Sequence, residues 1–362
     1  MKALRNVVVL AGEDLEPIRT DVAVVEGELR FGTFPEGRDA GGRVAIPPLF
    51  NAHLHLLDYP LREEYVRHDL VELVRPPDGL KQRALGRATI DGAVAVLESM
   101  KRRGVYGGIE HSNLPALSAE VRRRAEMDMK ILYEPVIAQT EEEIREDVLC
   151  EDVLTGVEME QVDGVAPSGV GEYSDATLKD IRKRAKFFAI HVAEHVEAVE
   201  RSLRLTGKSE IERALALKPD LLVHATVPGE EIDLVLKSRI PIAVNVNSNA
   251  LIAGALPPLA EYLEADHPLL FGTDNVMTVE PDMLHELSVA WRVARMQGWD
   301  DPGPILKGAT SLPHTLGLWS LGVLQEGSPP HILVLDLRAD EVADVHAGVL
   351  NRGAVRGIWE VL

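Results

Sequence analysis

Short apolar runs alternate with longer segments whose apolar residues recur three and four positions apart. Eight runs read as buried strands: Val44–Phe50, Gly104–Glu110, Lys130–Val136, Gly164–Pro167, Phe187–Val192, Leu221–Ala225, Ile240–Val246 and Pro268–Gly272. Helical patterns follow nearly all of them, as in Lys81–Arg103, Asp175–Lys186, His195–Leu205, Gly229–Lys237 and Asp282–Gln297. Ser174 is placed to cap one of these helices, and Met283, Leu287, Ala290, Trp291 and Ala294 keep one apolar stripe. Alternation of this kind predicts a parallel sheet in an α/β fold. Eight units predict a (β/α)8 TIM barrel. A doubly wound open sheet is the alternative, but no G-x-G-x-x-G follows the first strand.

The two chain ends break the alternation. Asn6–Leu10, Asp21–Val25 and Glu28–Phe34 are β-rich runs separated by glycines, and Ile332–Leu337 and Ala354–Leu362 are strand candidates near the other end. Neither end is large enough to hold a good core alone. The expected organisation is a small β-sandwich built from both ends, residues 1–47 and 317–362, around a catalytic barrel over 48–316.

Composition narrows the function. The 362 residues are 46% hydrophobic and 27% charged, ordinary values for a globular protein. No apolar run reaches the roughly 18 residues of a spanning helix. The net charge of −20 argues against nucleic-acid partners, which favour basic surfaces. Cys150 is the one cysteine, so neither an internal disulfide framework nor a cysteine-based zinc site can form. The N-terminal apolar run is too short for a signal sequence, and a cytoplasmic location is expected. Any metal must sit on histidine and carboxylate.

In a barrel the active site lies at the C-terminal strand ends. The first strand leads into His53 and His55, two apart and therefore on one side of an extended chain. His191 ends the fifth strand with Glu194 three residues on, His224 ends the sixth, and Asp274 follows the eighth. Each alone reads equally well as a solvated or capping residue. Together they bring three or more imidazoles and a carboxylate to one mouth, a donor set for Zn²⁺, with Fe²⁺ second. Glu110, His111, Glu134, Asn249 and Asn275 also fall near strand ends and are candidate substrate contacts, suited to an N–H-rich heterocycle. The long segment 56–79 is a candidate cover for the mouth.

These motifs, in this order, resemble the amidohydrolase superfamily, in the branch of cytosine, guanine and S-adenosylhomocysteine deaminases and triazine hydrolases. The resemblance rests on Pro48–His55, His191–Glu194, His224, Asn247–Ser248–Asn249 and Gly272–Thr273–Asp274, with Gly308–Ala309–Thr310, Leu316–Gly317–Leu318 and Gly322–Gly327 continuing it. It implies that His53, His55, His191 and Asp274 bind one divalent metal while Glu194, His224 and Asp274 serve the chemistry. Relatives with two metals usually carry a carboxylated lysine at the fourth strand end. Val165–Glu172 contains none, so a mononuclear site is expected. The Pro-His-x-Pro-Tyr run of nucleoside-deaminating relatives is also missing there, which counts against a nucleoside substrate.

The implied activity is hydrolytic deamination of an amino-substituted purine, pyrimidine, pterin or triazine by metal-bound hydroxide. The same shell would serve a cyclic amide hydrolase or a chlorohydrolase, and a relative that has lost its ligands would be a non-catalytic assembly protein. His191–His195 also matches the H-x-x-E-H peptidase pattern, but that pattern needs a helix where this sequence reads as strand. The expected partner is a small heterocycle; a homodimer is left open.

Overall fold

The structure is a computed structural model describing residues 2–68, 70–74, 79–151, 153–154 and 162–362. It divides into two compact units: residues 1–52, 99–107 and 282–362, and residues 53–98 and 108–281.

The first unit holds one seven-stranded sheet to which both chain ends contribute. Its order is Ile358–Val361, Leu333–Arg338, Arg43–Ile46, Lys2–Ala11, Glu16–Val25 and Glu28–Gly32, with Arg38–Asp39 also paired to Lys2–Ala11. Val7, Val9 and Ala11 lie on one face of their strand in a core with Val22, Leu29, Ile332 and Val334, and Val8 and Leu10 on the opposite face are buried too. Leu4 reaches the same core because the ladder slips between Leu4 and Val7. Asn6 takes the left-handed backbone there (φ 54°), which asparagine tolerates. The expected strand Ala354–Leu362 is corrected: Val345–Arg356 is a helix capped by Asp344, and only Ile358–Val361 pairs.

The alternating strands appear in the expected order: β1 (Leu49–His55), β2 (Val105–Ser112), β3 (Asp128–Tyr133), β4 (Gly164–Val165), β5 (Ala189–Val192), β6 (Leu221–His224), β7 (Ile242–Val244) and β8 (Leu269–Phe271). One sheet runs β4-β3-β2-β1 and ends on Asp274–Asn275; the other runs β5-β6-β7-β8. The β3–β4, β5–β6, β6–β7 and β7–β8 pairs are parallel, as is Asp274–Asn275 on β1. A single parallel bridge, Val165 to Phe188, links β4 to the residue before β5. Gly164 permits this approach, since a Cβ there would lie 2.3 Å from the Phe187 carbonyl oxygen.

Two expected elements are redrawn. The run Val44–Phe50 is split, because Pro47 and Pro48 cannot donate to a ladder: Arg43–Ile46 joins the terminal sheet and Leu49–His55 forms β1. His53 and His55 therefore lie within a strand, not beyond it. The expected helix Lys81–Arg103 is three pieces, Leu80–Ala84, Leu85–Arg87 and Ile90–Arg102. Gly86 weakens the middle, and the Thr89 hydroxyl accepts the Gly92 N–H to open the last piece. Ser174 caps its helix as expected, accepting the Thr177 N–H.

Of the segment 56–79, residues 69 and 75–78 lie outside the described residues. The rest forms short helical turns whose Leu61 and Leu73 pack with Ala84 and Met277. No helix among the described residues is long and apolar enough to cross a membrane.

Candidate metal centre

His53 and His55 alternate along β1 and share one side of it, with ring centroids 4.9 Å apart. His191 ends β5 one residue before its last, its ring 4.9 Å from that of His53, and His224 closes β6 5.3 Å from His191. Asp274 pairs beside Leu54 of β1 and brings its Oδ1 3.1 Å from Nε2 of His53. Gly272 makes this turn feasible, because a Cβ would lie 2.7 Å from the His53 backbone nitrogen. The donor atoms of His53, His55 and His191 lie within 4.8 Å of one another, as do those of His53, His224 and Asp274.

The protonation chemistry suits a cation. Burial, reinforced by neighbouring cationic groups, holds His55 and His191 well below the usual histidine range and lowers His53 and His224. These imidazoles are therefore neutral, the form that can donate a lone pair to a cation. Nδ1 of His55 faces the His111 carbonyl at 3.2 Å, and Nδ1 of His191 faces the Pro167 carbonyl at 3.0 Å. Each ring N–H is donated outward, which turns the Nε2 lone pair inward. Burial opposes ionisation of Asp274, but His53, His224 and the Ser248 hydroxyl (2.7 Å) pull its carboxyl well below the ordinary range. Neutral imidazoles with one ionised carboxylate are a fitting set for Zn²⁺ or Fe²⁺.

Four residues at these strand tips hold left-handed backbone: Ala193 (φ 47°), His224 (72°), Ala225 (44°) and Asp274 (61°). Strained non-glycine positions gather where function over-determines the chain. The β5 tip shows how the strain is held. Glu210, 2% exposed, accepts the N–H groups of Ala193 and Gly171, each at 2.7 Å. The Ala193 carbonyl in turn accepts from Thr226 and Val227. The peptide before Glu194 is thus clamped on both sides.

Glu194 lies 3.6 Å from Nε2 of His224. Burial, then the Asp274 carboxylate, push its carboxyl up to about 8, so it carries a proton near neutrality. The Asn245 amide donates toward Nδ1 of His224 at 3.3 Å, which favours the ring proton on Nε2, facing Glu194; Asn249 meets the same nitrogen with both its amide nitrogen (3.3 Å) and its oxygen (3.4 Å).

A cavity of 330 Å³ opens on this cluster, lined by His55, His191, His224, Asp274 and Glu194 on one side. Its outer wall carries Gln139, Ser168, Glu172, His195, Arg201 and Arg204. Of the five candidate substrate contacts, Glu134 and Asn275 line it; Glu110, His111 and Asn249 are outside its lining. Glu110 accepts the Leu56 N–H at 2.7 Å, and Asn249 reaches His224. His111 is 2% exposed, its ring 4.2 Å from that of His53. His195 stands just before the helix Val196–Thr206 and pairs with Glu197, outside the donor groups, while His191 lies in a strand, so the helix demanded by a peptidase motif is absent there.

Sequence reasoning missed Lys81. The helix Leu80–Ala84 carries its ammonium into the cavity, 3.4 Å from Glu134 and 3.0 Å from Nδ1 of His55. Burial works against its charge, but Glu134 and Asp58 hold it above the usual lysine range. Asp58, missed as well, accepts from Asn275 and from the Met277 N–H. The unusual length of 56–79 was the one signal available.

Comparison with known proteins agrees with this geometry. A putative aminohydrolase of Methanothermobacter thermautotrophicus is 31% identical, with 99% of this chain and 96% of that protein aligned. A 5-methylthioadenosine/S-adenosylhomocysteine deaminase of Thermococcus kodakarensis is 25% identical over 95% of this chain and 87% of its own length. In structure, a mutant atrazine chlorohydrolase of Arthrobacter aurescens TC1, complexed with zinc and atraton, superposes with a TM-score of 0.81 at 18% identity, covering 100% of this chain and 94% of the other. Residues 44–359 match the amidohydrolase family, and the chain belongs to it.

Proposed function

We propose that this amidohydrolase is a hydrolytic deaminase of an amino-substituted nitrogen heterocycle, working with one divalent metal, zinc before iron. The carrying observation is the meeting of a neutral-histidine and aspartate cluster with a protonated Glu194 in one cavity. Deaminase-named relatives and a zinc-containing structural neighbour support it. His53, His55, His191 and Asp274 would hold the ion, with no lysine at the β4 tip to bridge a second. Such an ion lowers the pKa of a bound water toward 7.

The protein's own groups then divide the work. Asp274, ionised, accepts a proton from the attacking water. Glu194 delivers its proton to a ring nitrogen, which makes the amino-bearing carbon electrophilic. The Nε2–H of His224 donates to the oxygen that gains charge. Water's oxygen bonds to that carbon, the carbon–nitrogen bond breaks, and ammonia leaves with a proton relayed from the carboxyl groups. The same groups serve a chlorohydrolase, whose readout is chloride instead of ammonia. The rest of the proposal is architectural: a closed (β/α)8 barrel over 48–316, a β-sandwich from 1–47 and 317–362, a cytoplasmic location, and substrate as the only required partner.

The test is ammonia release by zinc- or iron-loaded protein from purines, pyrimidines, pterins and triazines, with metal content measured alongside. Ammonia from at least one class at about one metal per chain is expected. Two metals per chain would overturn the mononuclear assignment, and no ammonia from any class would overturn the deaminase reading.

A further inference from the structure

Lys81 is a buried cation inside the cavity whose hydrogen-bonding capacity exceeds what surrounds it. An ammonium has three donors and no acceptor. Within 3.5 Å its nitrogen meets Oε2 of Glu134 (3.4 Å) and Nδ1 of His55 (3.0 Å). The second partner cannot accept once His55 presents Nε2 to a metal, because its ring proton must then lie on Nδ1. Nδ1 has its own acceptors, the His111 carbonyl at 3.2 Å and Glu134 at 3.3 Å. Loading the site therefore leaves Lys81 paired with Glu134 and with donors facing the cavity it lines. Its side chain is 7% exposed, so bulk water is a poor substitute partner. The acidic groups facing it from other elements are Glu134, Asp58 and Asp274, and among the described residues only Glu134 makes a short contact with it.

We infer that Lys81 is a substrate-binding residue that reads an oxygen acceptor on the heterocycle: the enzyme takes amino rings bearing an oxo or carboxylate oxygen, and discriminates against amino rings without one. This rests on the deaminase reading and names its substrate class. A charged donor to a buried oxygen is worth about 10- to 100-fold in affinity. A ring lacking that oxygen would leave the ammonium buried without its acceptor, so selectivity arises from loss as much as from gain.

The test compares matched rings, guanine against adenine and ammelide against melamine, by equilibrium binding to zinc-loaded protein and, separately, by ammonia release. The parent is expected to bind at least one oxygen-bearing ring about 10-fold or more tightly than its oxygen-free counterpart. Lys81→Met should bring that ratio to near one with zinc content unchanged, and Lys81→Arg should restore part of it. If Lys81→Met loosens the fold by stranding Glu134, the double variant Lys81→Met/Glu134→Gln removes the pair together and should show the same loss of preference. Equal or tighter binding of adenine and melamine, an unchanged ratio in the variants, or no binding by any ring would overturn the inference. A preserved oxygen preference in binding with no ammonia from any ring would instead sink the deaminase reading and leave the role of Lys81 standing.

Discussion

The two sides of the cavity are built differently. On the strand-tip side, nearly every polar group is anchored by a neighbour that is itself rigid. His55 and His191 lean on main-chain carbonyls, Asp274 on Ser248, and the peptide before Glu194 on Glu210. On the outer wall, Arg204 with Asp147 and His195 with Glu197 are pairs near solvent, while Arg201 joins Asp147 and also donates to the Gly171 and Val148 carbonyls. Backbone anchors fix an orientation to a fraction of an ångström, whereas exposed ion pairs contribute little and can re-form around a ligand. The difference separates chemistry, which needs preset geometry, from recognition, which tolerates adjustment.

Substitutions that move from the first side to the second should therefore lose effect in steps. The largest loss is expected at His191→Asn, which removes a metal donor: metal content by elemental analysis and activity should fall together, and a variant that keeps stoichiometric metal would remove His191 from the ligand set. Next is Glu194→Gln, where metal should remain while turnover drops by about 10²–10⁴, the usual cost of a general acid–base group. With Glu194 proposed as the acid, acting in its protonated form, the parent's rate should decline as pH rises through the pKa of that carboxyl, about 8. The alkaline limb should vanish in the Gln variant, and its persistence would assign the proton to another group.

Glu210→Gln is a smaller break in the same side. One of the two backbone N–H groups loses its carboxylate acceptor, and kcat should fall by about 10-fold while KM and metal content hold. A fall in melting temperature with unchanged kcat would make Glu210 a structural clamp only. On the outer wall, Arg201→Ala should shift KM by a few-fold with kcat near the parent value. His195→Ala should leave metal content and turnover nearly intact; loss of metal there would revive the H-x-x-E-H assignment and erase the contrast between the two sides.

The legibility of these regions in the sequence follows the same division. The β1, β5, β6 and β8 tips could be read because each histidine or aspartate of the cluster sits at or just past the end of a short apolar strand, and parallel alternation sends all such ends to one face. The first strand still moved by several residues, since Pro47–Pro48 divides what hydropathy reads as one run. The helix Val345–Arg356 was misread for a related reason. Gly353 looks like the break that opens a strand at Ala354, yet it sits inside the helix and admits Leu284 at close range.

The order of the alternating strands and the histidine and aspartate residues at their tips were legible in the sequence, because periodicity and residue type are local properties; the acid role proposed for Glu194 was implied by the family resemblance. Tertiary structure alone decided what stands around them. Lys81 reaches Glu134 across 53 residues, Glu210 reaches Gly171 across 39, and Asn275 reaches Asp58 across 217. Of these groups, Lys81, Glu210 and Asp58 read from sequence as ordinary surface residues. Burial gave them specific partners, because a charge or amide removed from water must find one, and only the folded chain determines which is within reach.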